Sequence, residues 1–341
     1  MKQNTAKSGF TLVELIMVIA ILAIIASIGI TKIGDLRASS AKRVNIYNLQ
    51  QLTRAASIYV TAKDTTTGIF DKMESLVDVS ESGKWTGTPG TYDWNKTDLT
   101  SYPGVYRGPK RVSDIKDAGG GGADTTNQTL DQQRKNNQGL TDSFINKVGI
   151  YYISTNDVTK FKNAGISNYL LHNYVAGQAS LFGFTQNEDG TPLENGGPGF
   201  RADMSAFYKV SLVPGSPVVV LNPIAAAGIY RALGCDLNLT AEEARFTNTA
   251  QAVEKANTLI AASRMSYRLF CFGLGRTSVF ARNGLDSVPR SEIVGKDYYR
   301  NYIMVFKQPT SGPSGQPVSF AGFLDPNGNT AEDARFNTDW Y

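Results

Sequence analysis

Histidine occurs once in the 341 residues, at His172, and cysteine only twice, at Cys235 and Cys271. Such scarcity leaves a His/Cys-ligated metal centre or a Cys/His nucleophile little to work with. Catalytic fingerprints are missing too: there is no G-x-S-x-G, no glycine-rich loop ending in Lys-Ser/Thr and no H-E-x-x-H. The four glycines at 119–122 follow no predicted strand and lead into no predicted helix, which argues against a phosphate loop. The sequence therefore points away from an enzyme and implies no cofactor. Charge of one sign is scarce as well. The net charge is +4, two units of it from Lys2 and Lys7, with no dense Lys/Arg run, so nucleic acid is not an expected partner. No internal repeat is apparent.

What the chain does have is apolar material: 41% hydrophobic and 10% aromatic residues, enough for a sizeable core. Much of it is concentrated in "KSGFTLVELIMVIAILAIIASIGI", residues 7–30. From Phe10 to Ile30 the run is 21 residues. At ~1.5 Å per residue it spans roughly 30 Å, the thickness of a bilayer's hydrocarbon layer. This is too long for an ordinary secretory signal, although Ser27-Ile28-Gly29 would satisfy a small-x-small cut before Ile30. A plain anchor explains the length but not Glu14, because an acid at membrane depth costs at least a few kcal/mol without a partner. The segment contains no Lys or Arg. A cut between Gly9 and Phe10, however, would create an α-amino group four residues before Glu14, able to pair with it within one chain or between chains.

Lys7-Ser8-Gly9-Phe10-Thr11-Leu12-Val13-Glu14-Leu15 resembles the class III signal of type IV prepilins and of the pseudopilins of type II secretion. The resemblance covers roughly residues 1–62. It implies that residues 1–9 are a leader, cut after Gly9 by a membrane prepilin peptidase that also N-methylates Phe10. It further implies that Glu14 neutralises the amine of a neighbouring subunit during filament assembly, that the chain begins as a single-pass precursor in a bacterial inner membrane, and that it ends in a periplasmic or cell-surface filament. Its partners would then be copies of itself or other pilins, the peptidase, and an inner-membrane platform driven by a separate ATPase. Some tip-type pseudopilins lack the acid, so Glu14 suits a subunit placed below another, whereas the large head suits a minor or specialised role. Where many members carry proline, this chain has Thr31, with Gly29 and Gly34 nearby.

Residues 31–62 contain no proline and continue the same helix, giving about 53 residues or roughly 80 Å. The exposed half, taken as 31–63, should stop near Asp64-Thr65-Thr66-Thr67-Gly68. On a helical wheel Val44, Tyr47, Leu52, Ala55 and Tyr59 form one apolar arc, and Ile46, Leu49, Ala56 and Val60 a second. Two faces suit a helix packed on its own head and on neighbouring helices. A wholly buried helix of a large monomer is the competing reading.

The remainder, 64–341, reads as one globular head. "DAGGGGADTTNQTLDQQRKNNQG" (117–139) is nearly devoid of large apolar residues and reads as a mobile loop. Strands are expected at "GIYYIS", "SPVVVL", "SYRLFCFGLG", "YYRNYIMVFKQ" and "PVSFAGFLD". Helices are expected from Thr155 or Asn156 to about Gly165, after Asn222-Pro223, and for about twenty residues from the Thr240/Glu243 capping box. The fold class is α+β: a pilin-like helical spine under an antiparallel sheet with inserted helices and loops. His172 has no acid or cysteine close in sequence and reads as structural. In an oxidising compartment Cys235 and Cys271 could form a disulfide or remain two buried thiols. Asp325, Asn327 and Asn329 alternate as oxygen donors that calcium could use, yet D-P-N-G is itself a turn signal. The expected function is a filament subunit; the alternative is a membrane-anchored monomeric binding protein or adhesin working through its head.

Overall fold

The computed structural model describes residues 12–62, 68–79, 86–94, 104–105, 140–173, 207–235, 237–245, 248–294, 299–310 and 317–333. The leader and the 117–139 loop lie outside the described residues, as do the side chains of residues 13, 14 and 20–35.

The chain opens with α1 (Leu12–Ala62), 51 residues long and ending where the sequence predicts. Beyond Gly34 its residues are proline- and glycine-free and rich in good helix formers. Three hydroxyls that could compete with the backbone fold back on it instead: Thr53, Ser57 and Thr61 each donate to the carbonyl four residues earlier. Asn45, Leu49, Leu52, Ala56 and Tyr59 are buried, a 4-3-4-3 spacing that makes one stripe. This corrects the two predicted arcs: the head takes members of both, and Val44 and Tyr47 belong to neither buried set. The stripe lies against the last strand and a short helix of the head, with Tyr59 edge-on to Phe280 at 5.3 Å.

After α1 come β1 (Met73–Val79), β2 (Tyr92–Asp93), β3 (Gly104–Val105), α2 (Asp142–Ile145), β4 (Val148–Tyr152), α3 (Thr155–Asn163), β5 (Asn168–Asn173), β6 (Phe207–Ser211), β7 (Pro217–Leu221), α4 (Ala227–Ala232), α5 (Thr249–Ala261), β8 (Tyr267–Gly273), α6 (Val279–Gly284), β9 (Ile303–Pro309) and β10 (Ser319–Leu324). The ten strands form one sheet with the path β2-β4-β7-β8-β1-β5-β6. β8 is its hub. It pairs with β9 along its whole length, while its other edge is shared by β7 at Phe270 and Cys271 and by β1 at Gly273. β10 extends the sheet beyond β9, and β3 lies on β1.

The sheet is mixed rather than antiparallel, because β1 and β5 run parallel, Met73 beside Tyr169. The long connection between them permits the crossover that a parallel pair needs. A side-chain clamp sets it: Asp71 Oδ1 accepts from Ser167 N (2.6 Å) and Asn168 N (3.2 Å), and Asn168 Oδ1 accepts from Lys72 N (3.2 Å). β1 is bulged between Glu74 and Asp78, where Leu76 takes φ 59°.

α3 begins at a capping box formed by Ser154 and Asp157, one residue before the predicted cap. The second predicted helix needs correction. Thr240 and Glu243 do make the reciprocal bonds of a capping box, but they close only a turn, and α5 starts nine residues later behind the cap Asn248. Glu243 instead forms a bidentate pair with Arg264, which ties that turn to the end of α5. Beneath the sheet Phe70, Phe161, Phe270, Phe272 and Phe306 meet edge to face at 5.0–6.2 Å and fix the core.

Candidate functional site

Successive residues of an α-helix turn by about 100°. Taking Asn45 as the centre of the buried stripe, Leu36, Tyr47 and Ile58 fall at about 180°, 200° and 220°, on the side away from the head. All three are exposed, by 69%, 61% and 60% respectively. They recur at intervals of eleven residues, and two further intervals back along the sequence lead to Ile25 and Glu14. Arg43 and Arg54 are exposed on the same half of the helix. Farther up, Leu12, Leu15, Ile16, Met17, Val18 and Ile19 are also exposed. Large apolar side chains on a helix exposed in this way mark a surface that is completed by something else.

Where the spine meets the head, the seam is not purely apolar. Asn45 Nδ2 donates to Asp325 Oδ2 at 3.1 Å, Ser291 Oγ donates to Asn45 Oδ1 at 3.2 Å, and Asn48 Nδ2 donates to Tyr302 Oη at 3.2 Å. Asn45, Ser291 and Asp325 are all buried. Sequence offered a partial cue: Asn45 occupies an apolar position of the stripe, whereas Ser291 and Tyr302 carry no local signal.

The predicted calcium donors do come together, though in another arrangement. Asp325 Oδ1 accepts from Asn327 N and Asn329 N, both at 2.9 Å, and Asn329 Nδ2 lies 3.4 Å from each carboxylate oxygen. The carbonyls of Asn327 and Gly328, which a cation could use, accept from Lys147 Nζ at 3.4 and 3.2 Å. An internal ammonium thus neutralises this loop, and Asp325 organises the turn. Burial pushes the Asp325 carboxyl up to about 6 and pulls the Lys147 ammonium down. Lys147, Asn329 and Asp333 line a cavity of about 430 Å³ floored by Ala225, Ala226 and Ile229. Among the described residues no group of three or more His, Cys, Asp and Glu side chains is placed to hold a metal ion.

Cys235 and Cys271 are buried thiols, the second of the two readings. Cys235 Sγ donates to Leu233 O, and burial raises the Cys271 thiol far above its ordinary range. His172 pairs in β5 with Phe207 of β6. Gly9 and Phe10 lie outside the described residues; Glu14 falls within α1, its side chain outside them.

Among the described residues of the head, a polar cluster surrounds Arg268. Its guanidinium lies 4.3 Å from the Tyr151 ring centroid and 5.4 Å from that of Tyr92, donates to Gln308 Oε1 at 2.9 Å, and approaches Asp157 Oδ1 at 3.7 Å. Asp157 also accepts from Tyr151 Oη (2.7 Å), Ser154 N (3.0 Å) and Gln308 Nε2 (2.6 Å). Although burial opposes the charge, these donors and Arg268 hold its carboxyl below the usual range. These bonds link half-buried Arg268 and Tyr92 to the buried Asp157 and so brace β2, β4, β8 and β9.

Among the described residues no helix is long and apolar enough to cross a membrane. Residues 4–30 match the prokaryotic N-terminal methylation motif. The chain therefore carries the class III signal of type IV prepilins and pseudopilins. No curated protein and no solved structure matches it significantly.

Proposed function

We propose that this chain is a structural subunit of a type IV pilus-like or type II secretion-like filament, made as a membrane-anchored prepilin and assembled through α1. The observation that carries the reading is the exposed eleven-residue stripe of Leu36, Tyr47 and Ile58, turned away from the head on the helix that also bears the methylation motif. A simple anchor for a working head has no use for apolar side chains there. A subunit packed among other spines does, because each neighbour removes that surface from water.

The roles follow from the residues. Lys2 and Lys7 hold the leader on the cytoplasmic side. Cutting after Gly9 exposes the Phe10 amine. Glu14, costly in the membrane alone, is then matched by the amine of an adjacent subunit, and this pairing sets the axial register as a new subunit joins. The spines bundle, the heads form the outer surface, and the energy for extraction from the membrane comes from a separate ATPase.

The test is intact-mass and N-terminal peptide analysis of the protein from its native membrane, with Glu14→Ala alongside. A chain beginning at N-methylated Phe10, with Glu14→Ala processed and folded yet missing from filaments, is the expected result. An uncut Met1, a start at Ile30, or wild-type incorporation of Glu14→Ala would overturn the assembly reading.

A further inference from the structure

The outward face of α1 carries charge as well as apolar surface, and the charge is of one sign. From Leu36 to Ala62 the helix has four cations, Arg37, Lys42, Arg43 and Arg54, and no carboxylate. At about 100° per residue, Arg43 and Arg54 fall at about 160° and 180° from Asn45, alongside Leu36, Tyr47 and Ile58. The two arginines are eleven residues apart, the same interval as the apolar three, and each stands four residues before an apolar neighbour, Arg43 before Tyr47 and Arg54 before Ile58. Both are exposed. Among the described residues no ion pair joins either of them to a carboxylate.

A neighbour that covers Tyr47 and Ile58 also takes the surface around these guanidinium groups out of water, and a charge so placed is costly without a counter-charge. The spine of a second copy cannot supply one, because over this length it brings the same cations and no acid. Like charges brought face to face reject a partner. Nor do the other described helices of a second copy offer a matching pair of acids: α5, 13 residues long, carries Glu254 alone, and the one acid of α3, Asp157, is buried in the head. An anionic lipid surface is a further source of negative charge. Yet α1 is a single helix from Leu12 to Ala62, so Arg54 stands about 36 Å beyond Ile30, well past a headgroup layer several ångströms deep.

Resting on the reading of the chain as a filament subunit, we propose that the outward face of α1 docks an unlike subunit, whose spine carries two carboxylates eleven residues apart among apolar side chains. Eleven residues are about 16 Å along the axis, so both carboxylates of such a helix reach Arg43 and Arg54 together. Its apolar side chains close over Tyr47 and Ile58 between them. The apolar stripe supplies the adhesion and the arginines choose the partner, admitting an acidic spine and turning away a copy of the same chain.

The experiment places the photoreactive amino acid p-benzoylphenylalanine at position 47 of the full chain in its native host. Sheared filaments are irradiated, the adducts sorted by mass and the cross-linked peptides sequenced. The expected adduct joins this chain to a different polypeptide, at a helical segment with two acids eleven residues apart. It should fall at least tenfold in Arg43→Glu/Arg54→Glu and persist in Arg43→Lys/Arg54→Lys, with thermal unfolding of the purified subunit unchanged in both. An adduct of twice the processed chain's mass, an adduct with lipid, a partner segment without the paired acids, an unlike adduct indifferent to charge reversal, or filaments without any adduct at position 47 would each overturn the proposal while leaving the filament reading standing. A chain that is processed and folded yet absent from filaments would overturn both.

Discussion

Replacing Tyr47 and Ile58 together by glutamine tests the outward stripe of α1. Glutamine is a good helix former, so the substitution removes apolar surface without weakening the spine. In the isolated subunit the two side chains are 61% and 60% exposed, so most of their surface is still available to a neighbour. Complete burial of one such side chain is worth about 1.5–3 kcal/mol, and the part still available therefore about 1–2 kcal/mol each. Losing both weakens each spine-to-spine contact by about 2–4 kcal/mol, or about 30- to 1000-fold. Neither residue touches the buried stripe, so the head's unfolding free energy should move by less than about 0.5 kcal/mol. The measurements are filament yield after shearing from the native host and thermal unfolding of the purified subunit. Wild-type filament yield at equal expression would refute the stripe as an assembly surface. A collapse in subunit stability would refute the placement of these residues away from the head.

Three further outcomes follow from the head. Asp325 is held near 6 in the folded chain against about 3.9 unfolded, so the native state binds the extra proton and stability rises as pH falls. The gain is about 1.4 kcal/mol between pH 7.5 and 5. It should vanish in Asp325→Asn, as read by denaturant midpoints. Below about pH 4 the trend reverses, because Asp157 and Glu243 are held below their ordinary values and lose their partners as they protonate. Arg268→Met should cost about 1–3 kcal/mol, because Asp157 loses its cation but keeps its donors Tyr151, Ser154 and Gln308, seen as a lower urea midpoint with an unchanged m-value. Cys235 and Cys271 should resist a thiol reagent in the folded chain and both react once it is unfolded, with no mass change on reduction; a native mass two units lower would reveal a disulfide instead.

Much of the architecture was legible because its signals are local. Helical periodicity without proline marks α1 and its end at Ala62, and runs such as Pro217–Leu221 and Ile303–Pro309 are short, β-branched and aromatic. Pairing direction was not legible, since β1 and β5 are joined by a clamp of Asp71 and Asn168 that are 97 residues apart in sequence. The Thr240/Glu243 box misled for a related reason: its bonds form as written, but Glu243 is claimed by Arg264 and the helix begins later. Of the candidate site, the N-terminal signal is linear and was readable outright. The Asp325 turn was recognisable as an acid among amides, but Asn45 lies 280 residues before Asp325 and Lys147 lies 181 residues before Gly328, and no spacing rule reaches that far.

β1 follows the spine in sequence yet sits inside the sheet between β5 and β8, and Asn45 is fastened by a residue 280 positions later. During synthesis the spine therefore emerges long before the strands that flank its successor exist. β1 must wait for β5 and then for β8, and the inner stripe of α1 stays bare until α6 and then β10 arrive. With closure so dependent on distant partners, the head forms slowly and late. In the proposed prepilin, a tether at the first segment would keep that unfinished surface at one spot on the membrane, away from other nascent chains, until the last strand has formed. Truncation before α6 would release a spine with both faces uncovered, a species for proteolysis rather than for assembly.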